Sequence, residues 1–174
     1  VVNWLNNGAD IKEATKGATG GRIVSPEYYF KKFVTWSGIS SGEPSMRISD
    51  HAIFGSGAKA LLSNAGLYNY LAFLNSKVAL SILKFLSPTL NYEAGHIGNI
   101  PVCFKISEKV ENITLDCIKI SKGDWDSFEN SWDFQHHPLL RKVPTIAEVF
   151  TQWQVECDER FNQLKVNEEV RKKS

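Results

Sequence analysis

The sequence predicts a mixed α/β (α+β) fold: a twisted sheet of mixed strand direction, packed helices and a long C-terminal helix. Three observations carry this. An aromatic and β-branched run, residues 28–36, is followed by a Ser/Gly loop and a second β-prone run. Apolar residues then recur at helical spacing from Leu67. Finally, Thr145-Ile146-Ala147-Glu148 has the form of a capping box ahead of a long amphipathic pattern.

Taken in order, Lys16-Gly17-Ala18-Thr19-Gly20-Gly21 is Gly-rich punctuation, and the second half of Tyr28–Trp36 reads as a strand. Ser37–Pro44 is a loop, and Ser45-Met46-Arg47-Ile48 returns as a second strand, making an antiparallel hairpin with a polar tip. Leu67, Leu71, Leu74, Val78, Ile82 and Phe85 or Leu86 share one helix face. Asn75-Ser76 interrupts that face. Asn tolerates a left-handed C-cap and Ser is a preferred N-cap, so one long helix and two short ones both fit. Ser87-Pro88 ends the run. Thr89–Tyr92 and Ile100–Phe104 read as strands around a one-turn helix near His96–Asn99, with Pro101 confined to a strand start or an edge.

Glu108–Pro144 is ambiguous. Ile113, Leu115, Ile118 and Ile120 suit a strand or a short helix, and Asp124–Phe134 reads as an aromatic-anchored loop. The last helix starts at the capping box. It carries Ile146, Val149, Phe150, Trp153, Cys157, Phe161 and Leu164 as one stripe that needs a partner surface. The expected organisation is one domain over residues 1–143 and an amphipathic spacer or docking helix over 144–174.

At 174 residues and 43% hydrophobic content the chain buries one sizeable core. Residues 1–105 hold ten Lys/Arg against six Asp/Glu, whereas residues 106–174 hold ten against thirteen, so the first part is the better match for phosphates. Cys103, Cys117 and Cys157 are odd in number and show no C-x-x-C spacing, which argues against a disulfide framework or zinc site and fits a reducing cytoplasm. No apolar run reaches membrane-span length and no signal-peptide design opens the chain, so a soluble, cytoplasmic protein is expected. The chain begins at Val1 and ends in Arg171-Lys172-Lys173-Ser174 with a helical pattern still running, as expected of a cut fragment.

Catalytic patterns are weak. No two prolines are adjacent, so the Asn/Asp-Pro-Pro-Tyr/Phe loop that grips a flipped adenine is missing from this sequence. Phe54-Gly55-Ser56-Gly57 reads as a surface turn rather than a cofactor loop, because no buried strand precedes it and no helix pattern follows. No carboxylate set at nuclease spacing is found. His136-His137 fits a packed loop better than a metal site, His96 a helix cap, and Ser37, Ser40 and Ser41 a polar tip lacking a base partner. No catalytic or metal-ligating residue is assigned. The residues suited to DNA are Arg22, Tyr28, Lys31 and Lys32, with Ser40 and Ser41 at the tip and Arg47 on the return strand. Arg reads guanine with two parallel bonds, whereas Lys and Ser mostly hold phosphates.

A family resemblance rests on motifs in order. They are Glu27-Tyr28-Tyr29-Phe30-Lys31, Val34–Gly42, Phe73-Leu74-Asn75-Ser76-Lys77-Val78-Ala79, Leu86–Gly95, Ile97-Gly98-Asn99-Ile100-Pro101-Val102, Ser131-Trp132-Asp133-Phe134, His137-Pro138-Leu139-Leu140 and Glu156–Lys165. Together they resemble the carboxyl-terminal half of BREX-type (phage-growth-limitation) adenine-specific DNA methyltransferases, which belong with fused restriction-modification enzymes. The resemblance covers nearly the whole chain. It implies a target-recognition region for double-stranded DNA, similar to the target-recognition domains of type I restriction specificity subunits, where spacer helices follow. It also implies an upstream methyltransferase domain supplying S-adenosylmethionine, base flipping and methyl transfer to adenine N6. No cofactor is expected in the fragment itself, and a fused endonuclease is left open. The alternative is an interaction module whose last helix docks on another subunit of a defence complex.

Overall fold

The computed structural model describes residues 2–17 and 23–172, and the side chains up to Val170. Arg22, one of the expected DNA contacts, lies outside the described residues. Helix α1 (Leu5–Ala14) opens on a left-handed turn in which Asn6, Asn7 and Gly8 have φ of 51°, 57° and 69°. A Cβ at Gly8 would lie 2.8 Å from the Trp4 ring, so the turn needs glycine there. A 3-10 turn (Pro26–Tyr28) leads into β1 (Phe33–Ser37), followed by β2 (Arg47–Ser49) and β3 (Ala58–Leu61). The remaining elements are α2 (Leu67–Leu74), α3 (Lys77–Leu86), α4 (Ala94–Gly98), α5 (Glu108–Trp125) and α6 (Ile146–Lys172).

The mixed α/β class is as expected. The sheet has the order β2-β1-β3, and both pairings are antiparallel, so its strands are not mixed in direction. No helix intervenes between strands, and a parallel pairing needs such a crossover. In the β1–β2 register Val34 faces Ile48 and Thr35 faces Arg47. In the β1–β3 register Val34 faces Leu61. Paired residues share a face, so Val34, Trp36, Ile48 and Leu61 point into one core, while Thr35, Ser37, Arg47 and Ser49 point to the other side. That core is completed by Met46, Leu71, Leu74, Ala79, Leu83, Tyr92, Ile97 and Ile100.

The interruption at Asn75-Ser76 separates two helices. Ser76 caps α3 by accepting the Ala79 amide at 3.2 Å. Asn75 is not left-handed; it sits at φ −90°, ψ 5°. The restart shifts the helical phase, so Ala79 and Leu83 are buried whereas Val78 is 65% exposed and leaves the expected stripe. Thr89–Tyr92 and Ile100–Phe104 are not strands; only a single bridge, Ile39 to Asn91, forms. Side chains take the carbonyls that a ladder would use: Ser87 Oγ donates to Asn91 O and Trp36 Nε1 to Tyr92 O. At the second segment Pro101 lacks a donor.

The ambiguous stretch becomes α5, an 18-residue helix capped by Ser107. Its Ile118 packs against the core, and its Thr114 is buried and donates to Val110 O. Helix α6 starts where the capping box placed it, with the Glu148 amide donating to Thr145 Oγ1 at 3.3 Å. Its less exposed positions are Val149, Trp153, Cys157, Arg160, Leu164 and Asn167, against α5. Ile146, Phe150 and Phe161, expected in that stripe, are exposed. At 3.6 residues per turn Phe150 and Phe161 lie on the flank of the line through Val149, Trp153, Arg160, Leu164 and Asn167, and Ile146 stands in the first turn of the helix.

Candidate nucleic-acid interface

The β1–β2 hairpin is tied to the helical layer at three places. The Tyr92 amide donates to Gly38 O at 2.7 Å, its carbonyl accepts from Trp36 Nε1 at 2.8 Å, and its hydroxyl donates to Gly42 O at 3.3 Å. The side chain of Asn75 receives the Met46 amide and donates to the Met46 carbonyl, both at 3.0 Å. At the tip, Glu43 forms an ion pair with Lys84 of α3, which raises the Lys84 pKa through that hydrogen bond and its charge. Pro44 and Met46 point inward and are buried, whereas Ser41, Ser45 and Arg47 are exposed.

The expected DNA contacts fall into two groups. Tyr28, Lys31 and Lys32 precede β1. Lys31 Nζ lies 5.0 Å from the centre of the Tyr28 ring, a cation–π contact, and Lys32 Nζ donates to the Tyr68 hydroxyl at 3.0 Å. That hydrogen bond raises the Lys32 pKa. Ser40 and Ser41 lie beyond the other end of β1, a strand about 16 Å long at about 3.3 Å per residue, whereas Arg47 is paired with Thr35 at the middle of that strand. The Ser40 amide donates to Leu90 O, and Ser40 Oγ receives the Gly42 amide, so Ser40 shapes the tip while Ser41 projects from it. Arg47 lies on the face of the sheet away from the core, its guanidinium 3.4 Å from Ser37 Oγ. The structure therefore sets the two lysines and the two serines at opposite ends of β1, with Arg47 between them on the neighbouring strand.

Tyr92, Asn75 and Lys84 carry the hairpin and were not singled out for it by sequence reasoning. For Asn75 and Tyr92 the signal was their place within the Leu-Asn-Ser and Asn-Tyr-Glu motifs, whose partners elsewhere in the chain a linear reading does not show; Lys84 lies in neither motif. The other expectations resolve simply. His96 Nδ1 receives the Glu93 amide and caps α4. His137 Nδ1 receives the Leu139 amide within its loop. Phe54-Gly55-Ser56-Gly57 is a turn before β3, with the Phe54 ring 5.5 Å from Phe33. A strand follows these glycines instead of a helix N-terminus, so they do not fit a nucleotide cofactor. Among the described residues no helix is long and apolar enough to cross a membrane.

Comparison with known proteins gives the relationship. The chain is 41% identical over 182 aligned residues to the adenine-specific methyltransferase PglX of Lacticaseibacillus casei (strain Zhang), an alignment that covers 97% of this chain. The chain is related to the BREX-type adenine-specific methyltransferases. It is also 27% identical, over 94% of its length, to the adenine-specific methyltransferase BrxX of Escherichia coli O9:H4 (strain HS). The chain spans only 15% of the first of these BREX-type relatives and 13% of the second. No protein-family model matches it.

Proposed function

We propose that this segment is the double-stranded DNA target-recognition domain of an adenine-N6 methyltransferase in a restriction-modification or phage-defence system. The observation that supports the reading most is the tethered hairpin: Tyr92 and Asn75 hold its backbone and Lys84 pairs with the Glu43 side chain, while Ser41, Ser45 and Arg47 stay exposed. A preorganised loop meets a groove without first losing conformational entropy. Arg47 and Ser41 address base edges, and Lys31 and Lys32, just before β1, hold phosphates. S-adenosylmethionine, base flipping and methyl transfer belong to the rest of the polypeptide, and the enzyme works on DNA in the cytoplasm.

The test is titration of duplex DNA at several salt concentrations with a variant carrying Lys31→Ala, Lys32→Ala and Arg47→Ala. Affinity is expected to fall, and the slope of log K against log salt to flatten by roughly 0.9 for each phosphate no longer neutralised. An unchanged affinity and slope would remove these three residues from the interface.

A second reading has its own observation. Ile146, Phe150, Val155, Phe161 and Val166 of α6 are at least half exposed, more apolar surface than a solvated helix carries. On this reading α6 docks on another subunit of the defence complex, and an α6 variant that loses a subunit while keeping DNA affinity would favour it.

A further inference from the structure

The segment joining α5 to α6 keeps large aromatics in water at some structural expense. Trp132 is 92% exposed, Trp125 54% and Phe128 45%. These side chains are not on a loose loop. The Phe128 amide donates to Trp125 O, Ser131 to Phe128 O and Phe134 to Ser131 O, a run of tight turns. Ser131 Oγ donates to Asp126 Oδ1 at 2.7 Å, and Lys122 Nζ bridges Asp126 and Asp133 at 2.6 Å and 2.5 Å. A hydrogen-bonded frame thus presents an indole that its own fold does not cover. Rigid, exposed aromatics of this kind are the residues that dominate protein interfaces.

Charge decides the kind of partner. Asp124, Asp126, Glu129 and Asp133 stand against Lys122 alone within residues 122–133, with Arg160 of α6 3.7 Å from Asp124. Four carboxylates in so short a stretch repel phosphates and suit a surface bearing Lys or Arg. Length points to a surface in the same polypeptide: about 85% of the related L. casei methyltransferase falls outside the matched segment.

We propose that the Trp132 turn is a docking surface for another part of the same long methyltransferase polypeptide, one that presents basic residues around an apolar slot. The proposal rests on the family relationship and not on the DNA reading. The experiment replaces Trp132 by the photo-crosslinker p-benzoylphenylalanine in the full-length polypeptide and maps the products by mass spectrometry. Circular dichroism checks that the exposed site tolerates the label. The expected product is a crosslink within the same polypeptide to a peptide containing Lys or Arg, with a yield that falls several-fold when Glu129→Lys is added. A crosslink to DNA or to a separate polypeptide, no crosslink at all, or an internal crosslink indifferent to Glu129→Lys would each overturn it. Loss of DNA binding by the Lys31, Lys32 and Arg47 variant is scored separately, so either idea fails without the other.

Discussion

Asn75 joins helix to hairpin through three hydrogen bonds: one from the Met46 amide and two donated, to Met46 O and Leu71 O. Met46 is 4% exposed, so removing these partners leaves its backbone groups without water to replace them. Asn75→Ala is expected to cost about 2 kcal/mol in urea unfolding, lowering Tm by about 4–8 °C. Asn75→Asp is the sharper variant, because its carboxylate would face the Met46 and Leu71 carbonyls with no donor. It is expected to be at least as destabilising as Asn75→Ala at pH 7; a milder loss would mean that shape, not donation, holds the junction. In sequence Asn75 looked like a helix terminator, and its pairing with a residue 29 positions away has no local signature.

Elements were legible where the signal is local. The capping box fixed the start of α6, and Ser76 fixed that of α3. β3, written Ala58-Lys59-Ala60-Leu61, has little strand propensity and exists because β1 pairs with it. Helix α5 was ambiguous because Ile113, Leu115, Ile118 and Ile120 satisfy both periods; contact between α5 and α2 favours the helix. The phase of α3 gives a direct test. Val78→Ala should change stability by no more than about 0.5 kcal/mol, whereas Leu83→Ala, at 1% exposure, should cost about 2–5 kcal/mol. Equal costs in chemical denaturation would restore the continuous stripe expected from the sequence. The site was less legible than the fold. Residue types named Lys31, Lys32 and Arg47, but only the register of β1 shows that the arginine stands opposite Thr35 on the neighbouring strand while the lysines precede β1.

For the whole molecule, the uneven charge along the sequence becomes an uneven charge in space, with Lys31, Lys32 and Arg47 near the sheet and carboxylates in α6 and in the segment that joins it to α5. The latter set an acid limit on stability. The Arg141 guanidinium, bonded to both carboxylate oxygens of Glu156, holds that carboxyl below its ordinary 4.5, and Lys122 and Ser131 do the same for Asp126. Depressed carboxyl values in the folded state mean that the stabilisation is present above the unfolded value and is lost as pH falls through the folded one. Hydrogen exchange in α6 is therefore expected to accelerate as pH drops below about 4.5, after correction for the intrinsic rate. Glu156→Gln should reduce that dependence; an unaltered pH profile would show that the pair contributes nothing.

The bond pattern of Asn75 has one more consequence. Its amide occupies the backbone groups of Met46 as a neighbouring strand would, just ahead of β2 at the rim of the sheet. Open rims recruit foreign chains, and at this residue one side chain already fills the donor and the acceptor that a foreign strand would need.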